Sequence, residues 1–463
     1  MKSLALKLLS LFLLSFSLGS CAHLSGMTVH QALSVGIFSA SILGTLFFWD
    51  FRLSFAFIGT SVLLMTKTID LEHVIEFSSL EVILFLVGMM VIIGLLKDSG
   101  AFAWIVSLIL RIPKLTGKKF VIFVGILSAL LACTVDEVTS IIFIVVAVME
   151  VCNYFEVNPV PFIIISVLAT NIGSAATVLG NPIGILIASK SGLTFEDFIL
   201  KALPLAVVCL IVVLFILLFW YRKSIKFLDE QMQRLGANEI LIRLISVPPE
   251  KDLKISLVIF GVMLVFISLH HRIEVAWGLP VNTVLLVVPL VVSGLVMIWK
   301  HNKARKYIEK DVEWWTLLFF LLLFVQAGTL KYTGATVFIA KHILAATGNN
   351  LNLLTGVILW ISAIGSSILD NVVLVAAFIP VVQGFQGLNM NLQPLWWALL
   401  FGGCLGGNIT LIGSTANIVA IGILEKEGRI KITFLNWFLV GLSVGLITTF
   451  IVMFALVFLP FYR

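Results

Sequence analysis

Apolar runs near or above about 20 residues recur along the whole of this chain, and a run of that length has one common use, which is to cross a lipid bilayer as a helix. Ala202–Trp220, Ile255–Leu269, Val281–Trp299 and Phe434–Leu459 are four of them. Of the 463 residues, 60% are hydrophobic and only 12% are charged. A soluble domain carries about 25% charge, and no soluble core could absorb this much apolar sequence. The chain is therefore read as an all-α polytopic membrane protein.

The net charge of +6 is no mark of nucleic-acid binding. The basic residues sit in short loops between apolar runs, where they report topology. The seven histidines are scattered and form no ligand pattern. Of the five cysteines (Cys21, Cys133, Cys152, Cys209, Cys404), none has CxxC spacing, and most read as small packing residues without a disulfide framework. Lys2 and Lys7 open an apolar run that ends Leu18-Gly19-Ser20-Cys21. Residues 1–26 thus have the shape of a signal sequence with a lipobox-like end, or of an ordinary first span.

The chain repeats itself. Shifted by 234 residues, the block from Gly94 through Lys97 to Gly100-Ala101 falls on the block from Gly328 through Lys331 to Gly334-Ala335. The same shift puts Ser128-Ala129 on Ser362-Ala363 and Asp136 on Asp370. With one residue of drift, Thr177-Val-Leu-Gly180 falls on Thr410-Leu-Ile-Gly413. Charge then sets the relative orientation. The loop holding Arg111, Lys114, Lys118 and Lys119 has an uncharged counterpart near 345–353. The loop holding Lys300, Lys303, Arg305, Lys306 and Lys310 corresponds to a segment near 66–79 whose one basic residue of this kind is Lys67. Because basic loops stay in the cytoplasm, the two halves must have opposite topology, the inverted repeat of many secondary transporters.

The expected plan is residues 1–26 as the signal-like segment, 27–221 as the first repeat, 222–254 as a cytoplasmic linker and 255–463 as the second repeat. Each repeat carries a re-entrant hairpin (120–152 and 353–388) and a broken transmembrane helix (160–190 and 394–424). Residues 101–112, too short to cross, are expected to lie in the interface. Cysteine-accessibility labelling tests this plan. Residues 114–119, 230–250 and 303–310 should label from the cytoplasm, and 70–78 and 346–352 from outside. Labelling of 114–119 and 346–352 from the same side would refute the inversion.

Four polar interruptions fall inside apolar sequence. They are Cys133–Ser140, Asn171–Pro182, Ser366–Asn371 and Gly406–Asn417. Backbone that leaves a helix within the bilayer survives only where protein or a water-filled cavity satisfies it. Its freed carbonyls and half-helix ends then serve as ligands. Asn, Thr and Ser add oxygens of the kind hard cations take. Carboxylates at this depth, here Asp136, Glu137 and Asp370, are expensive and functional by default. The competing reading of any one Gly-rich stretch is close helix packing; four stretches placed symmetrically in two repeats argue for a site. Asp98, Glu196, Asp197 and Glu425 fall near span ends and read as solvated. Trp49, Trp220, Tyr221, Trp299, Trp314, Trp315 and Trp437 read as interface anchors.

These motifs carry a resemblance. Asn171-Ile-Gly-Ser-Ala-Ala-Thr-Val-Leu-Gly-Asn-Pro182 and Gly406-Gly-Asn-Ile-Thr-Leu-Ile-Gly-Ser-Thr-Ala-Asn417, with Asp136 and Asp370 upstream, resemble the ion transporter superfamily. That group includes ArsB-type arsenite permeases, NhaD-type sodium/proton antiporters, the melanosomal P protein and the citrate/dicarboxylate carriers. The resemblance spans nearly all of 30–460 and implies a dimeric elevator-type carrier in the inner membrane. It implies ion binding, with sodium and protons as coupling ions, at Asp136, Glu137, Thr139, Asn171, Thr177, Asn181, Asp370, Asn371, Asn408, Thr410, Ser414 and Asn417. The hairpin tips depart from the dicarboxylate carriers, showing Val-Asp-Glu and Leu-Asp-Asn where those show Ser-Asn-Thr. Asn181 stands where the permease and P-protein branches usually show Asp. Three cargoes or roles follow: sodium/proton antiport; an arsenite or organic-anion permease, with or without sodium coupling; and a membrane enzyme or assembly subunit. Against the last, the sequence has no His cluster, nucleophile motif or soluble catalytic domain.

Overall fold

The computed structural model describes residues 2–48, 51–101, 104, 115–234, 251–348, 350–385, 391–428 and 432–462. Among them every regular element is a helix. Eight helices are long and apolar enough to cross a membrane, or up to ten if each bent pair is one span. The proposed interfacial segment 101–112 lies almost wholly outside the described residues, as do 235–250 of the linker and the basic loop at 429–431.

The N-terminal α1 (Lys2–Leu24) folds back on α2 (Val29–Phe47), which starts at a Thr28/Gln31 capping box. The seam is made of small residues, with a Cβ on Gly19 only 3.5 Å from the Gly36 backbone. There follow α3 (Arg52–Met65), α4 (Leu71–Phe77) and α5 (Leu80–Asp98). Then come the first hairpin, α6 (Gly117–Thr134) and α7 (Glu137–Tyr154), and the broken helix, α8 (Val160–Gly173) and α9 (Pro182–Ser191). α10 (Phe195–Trp220) ends the first half. The linker begins as a charged helix, α11 (Arg222–Arg234), that buries Ile225, Leu228 and Met232.

The second half runs through α12 (Lys251–Ser268), α13 (His270–Trp277) and α14 (Thr283–Trp299), then, after the turns of the basic loop, α15 (Trp314–Tyr332) and α16 (Ala335–Thr347). Its hairpin is α17 (Leu351–Ile368) and α18 (Asn371–Gln383). Its broken helix is α19 (Gln393–Gly406) and α20 (Thr415–Gly428), and α21 (Phe434–Phe458) closes it.

The halves exchange partners. α6 packs on α8 as α17 packs on α19, each within its own half. Across halves, α7 packs on α20 and α18 on α9, while α5 packs on α14 and α15 on α3. Repeat-related helices thus make repeat-related contacts.

Two readings of polar and aromatic residues change. Asp98 is not solvated: it meets Lys303 at 3.1 Å and Lys306 at 2.6 Å, and Glu196 pairs with Arg272 at 2.6 Å. A carboxylate at a span end is drawn to the lysines of the adjoining loop once the fold sets them side by side. Asp197 bonds Thr194 in a capping box, and Glu425 is exposed. Trp437 is no interface anchor either. It is fully buried, and its indole N–H donates to the Asn408 carbonyl at 3.1 Å, satisfying backbone that the helix break sets free.

Candidate functional site

Both hairpins turn on an aspartate that caps the second arm. Asp136 Oδ1 accepts from the Val138 and Thr139 amides at 2.7 and 2.9 Å, and Asp370 Oδ1 from the Val372 amide at 3.1 Å. A side-chain oxygen at this position satisfies amides that the first turn leaves without partners. The broken helices restart in the same way. Asn181 Oδ1 accepts from the Gly184 amide at 3.0 Å, with Pro182 in the first turn.

The four interruptions converge. Glu137, 1% exposed, takes the Asn371 amide of the opposite hairpin at 3.2 Å and the Asn181 amide at 3.5 Å. Asn181 also donates to Ser174 Oγ at 3.1 Å and to Cys404 Sγ at 3.1 Å. Asn171 donates to Asn408 Oδ1 and Asn417 Oδ1, both at 2.9 Å, so the two broken helices are tied together. Asn417 donates in turn to the Gly407 and Thr410 carbonyls at 2.7 and 2.8 Å. Thr177 reaches the Cys133 carbonyl and Thr410 the Ser367 carbonyl, the same contact in each repeat between a break and its hairpin tip. Ser414 Oγ accepts from the Ala416 amide at 3.2 Å. Thr139 lines the cavity beside Asp136.

The twelve residues do not form one shell. Asp136, Glu137, Thr139 and Asn181 border a cavity of about 200 Å³. Asp370 lies on a separate cavity of about 230 Å³ with Thr45 and Ile412. Asn171, Asn371, Asn408, Ser414 and Asn417 are fully buried and line neither cavity. Asn171 Oδ1 has no hydrogen-bond partner among the described residues. Oxygen donors of this kind suit a hard cation.

The first cavity opens at a rim holding Lys97, Lys310, Asp311 and Glu313. Its repeat-related counterpart, about 250 Å³, has Lys331, Glu76, Phe77 and Ser79 in the matching places, and none of the twelve residues lines it. The Phe77 ring packs over Gly328, where the mate Gly94 faces Asp311. Of these two repeat-related cavities, the first is lined by hairpin-tip residues and the second is not.

Sequence reasoning missed several participants. Thr415 Oγ1 donates to Asp370 Oδ2. It stands inside the quoted motif Ser414-Thr415-Ala-Asn417 and was legible there. Glu313 and Thr316, joined at 3.3 Å, start α15, and nothing local in sequence marks them. Arg52, 8% exposed, opens α3. Its Nη2 lies 3.4 Å from Thr316 Oγ1, a contact that no local pattern in the sequence marks.

A family model described as citrate transporter matches residues 46–402. An uncharacterized transporter of Mycobacterium tuberculosis strain H37Rv is 31% identical over 353 residues, covering 75% of this chain and 79% of its own. An uncharacterized transporter of Synechocystis is 26% identical over 84% of this chain and 88% of its own length. The human P protein is 26% identical over 80% of this chain and 52% of the P protein.

Proposed function

The chain belongs to the citrate transporter family, and from that footing we propose that it exchanges sodium for protons, the two ions competing for carboxylates at the hairpin tips. The observation carrying this reading is the polarity of the open cavity. Its inner end presents Asp136 and Glu137, while its lysines, Lys97 and Lys310, stay exposed at the rim. A cavity of this kind gathers cations and repels anions from its depth. Burial favours the protonated carboxylate and a nearby cation favours the ionised one, so sodium entry releases a proton.

On the positive-inside rule the rim beside Lys303, Lys306 and Lys310 is cytoplasmic, and the conformation is inward-facing. Inversion of the repeats supplies the outward-facing counterpart. The carrier is taken to work as a homodimer in the inner membrane, with sodium and protons as its only cofactor-like ions.

A second reading is favoured by the family's name and by the rim lysines: an organic anion such as citrate entering together with the cation. Everted vesicles separate the two. Under antiport, sodium and lithium dissipate a preformed pH gradient, while citrate, succinate and arsenite do not. Sodium-dependent uptake of citrate without sodium-driven proton efflux would replace antiport by the second reading.

A further inference from the structure

Each half supplies one long helix that faces the hairpins and broken helices, α5 in the first and α15 in the second. Their contacts differ. α5 packs on α9, the second arm of its own broken helix, and the open cavity separates it from α7. α15 packs on α18 of its own hairpin, and among the described residues it is not packed on α20, the mate of α9. An inverted-repeat carrier reaches its other state when each half takes up the arrangement of the other. In that state α5 closes on α7, α15 closes on α20, and α9 has left α5.

The contact that must part carries a clasp. Glu81 stands in the first turn of α5, and its Oε1 accepts from the Ser189 hydroxyl and from the Lys190 ammonium, both at 3.2 Å. Ser189 and Lys190 lie in the last turn of α9. The clasp has no mate. Glu81 falls on Trp315 in the 234-residue register, and Ser189-Lys190 falls on Gly422-Ile423 in the 233-residue register that aligns the helix breaks. Once the halves exchange arrangements, the second half has neither the acid nor the base to rebuild it.

We propose that Glu81 is a one-state latch: it holds the end of α9 in the conformation described here, lets go when the carrier switches, and so makes this conformation the resting one. Lys190 borders the second, counterpart cavity, so the latch sits at the end of the molecule away from the open mouth. The inference concerns the switch rather than the cargo and holds for either reading of the transported ion.

Cysteine labelling of both sides of the switch tests it, on full-length protein in permeabilised membranes with Cys21 and Cys133 replaced by serine. The reporters are repeat mates. Ile142 lines the open cavity from α7, and Ala376, 3% exposed, lines the counterpart cavity from α18. Ala376→Cys gains access to a maleimide as α18 leaves α15, and Ile142→Cys loses it as α5 closes on α7. The labelling rate of a site open only in a minor state scales with the population of that state.

Glu81→Gln and Lys190→Met should each raise the labelling rate of Ala376→Cys roughly two- to fivefold, the worth of a partly exposed ion pair. Labelling of Ile142→Cys should stay level or fall. The two substitutions together should add little to either alone, and the exchanged pair Glu81→Lys with Lys190→Glu should return the wild-type rates. If both reporters speed up, the clasp is packing that keeps the protein compact in any state. If Ala376→Cys does not respond, the clasp holds no state. Either result overturns the proposal.

Discussion

Asp136→Asn is expected to abolish ion-coupled flux in vesicles while the protein still inserts, folds and purifies normally. One side chain has two jobs here, and the substitution separates them. Asp136 Oδ1 caps α7 through the Val138 and Thr139 amides, and asparagine caps a helix about as well as aspartate. The substitution thus keeps the cap and removes only the charge, apart from about 0.3–1 kcal/mol of interaction with the helix dipole. Taking one partner from a buried charge pair costs about 3–5 kcal/mol. At 1.4 kcal/mol per factor of ten, sodium affinity should fall by about a hundredfold or more. Asp136→Glu keeps a carboxylate with altered reach and should retain some flux at a shifted pH optimum. Glu137→Gln should be milder than Asp136→Asn, since amides of Asn371 and Asn181 already hold that position and its repeat mate is neutral. The assay is sodium-driven proton flux across a range of pH and sodium. Wild-type coupling in Asp136→Asn would reduce the residue to a cap.

What could be read in advance follows from the range of the physics involved. Helix class, the broken helices at 174–181 and 407–414, and the paired tips at Asp136 and Asp370 are all local: apolar runs, glycines, and a carboxylate before a fresh apolar stretch. The repeat exposed them twice, which is why the element bounds agree closely with 120–152, 160–190 and 394–424. The surroundings of each polar group are not local. That Asn371 would meet Glu137, 234 residues away, and that Asn171 would bridge Asn408 and Asn417, depends on how the halves interlock. Asp136 and Asp370 have no basic neighbour in sequence, and which groups face them across the fold is not written there. Trp437 was misread because the span-end pattern of an interface anchor is identical, in sequence, to that of an indole turned inward to cap a freed carbonyl. The shared Ser-Ala blocks at 128–129 and 362–363 were seen as repeat markers, but their reason appears only in the packing.

That packing supports the second large effect: Gly173→Ala and Gly406→Ala should each lower the thermal stability of the purified protein by about 1–3 kcal/mol or more, the range for overpacking a filled core. A Cβ at Gly173 would lie 2.2 Å from the Ala129 carbonyl oxygen and 2.4 Å from its Cα, and one at Gly406 would lie 2.2 and 2.6 Å from the same atoms of Ala363. These are backbone atoms of the first hairpin arm in each half, so no rotamer change relieves the clash, and the hairpin must move off its broken helix. Both glycines sit just before the breaks, at 174 and 407, so displacement there also shifts Thr177 and Thr410 from the tip carbonyls they bond. The control lies on the same helix as Ala363. Nothing lies within 4 Å of a Cβ at Gly356, and relieving a glycine inside a helix is worth roughly 0.5–1 kcal/mol, so Gly356→Ala should be neutral or stabilising. Heat challenge in detergent followed by size-exclusion chromatography reads both signs in one experiment. Should Gly406→Ala survive heating as well as Gly356→Ala, the close seam between hairpin and broken helix would not be what holds the two tips together.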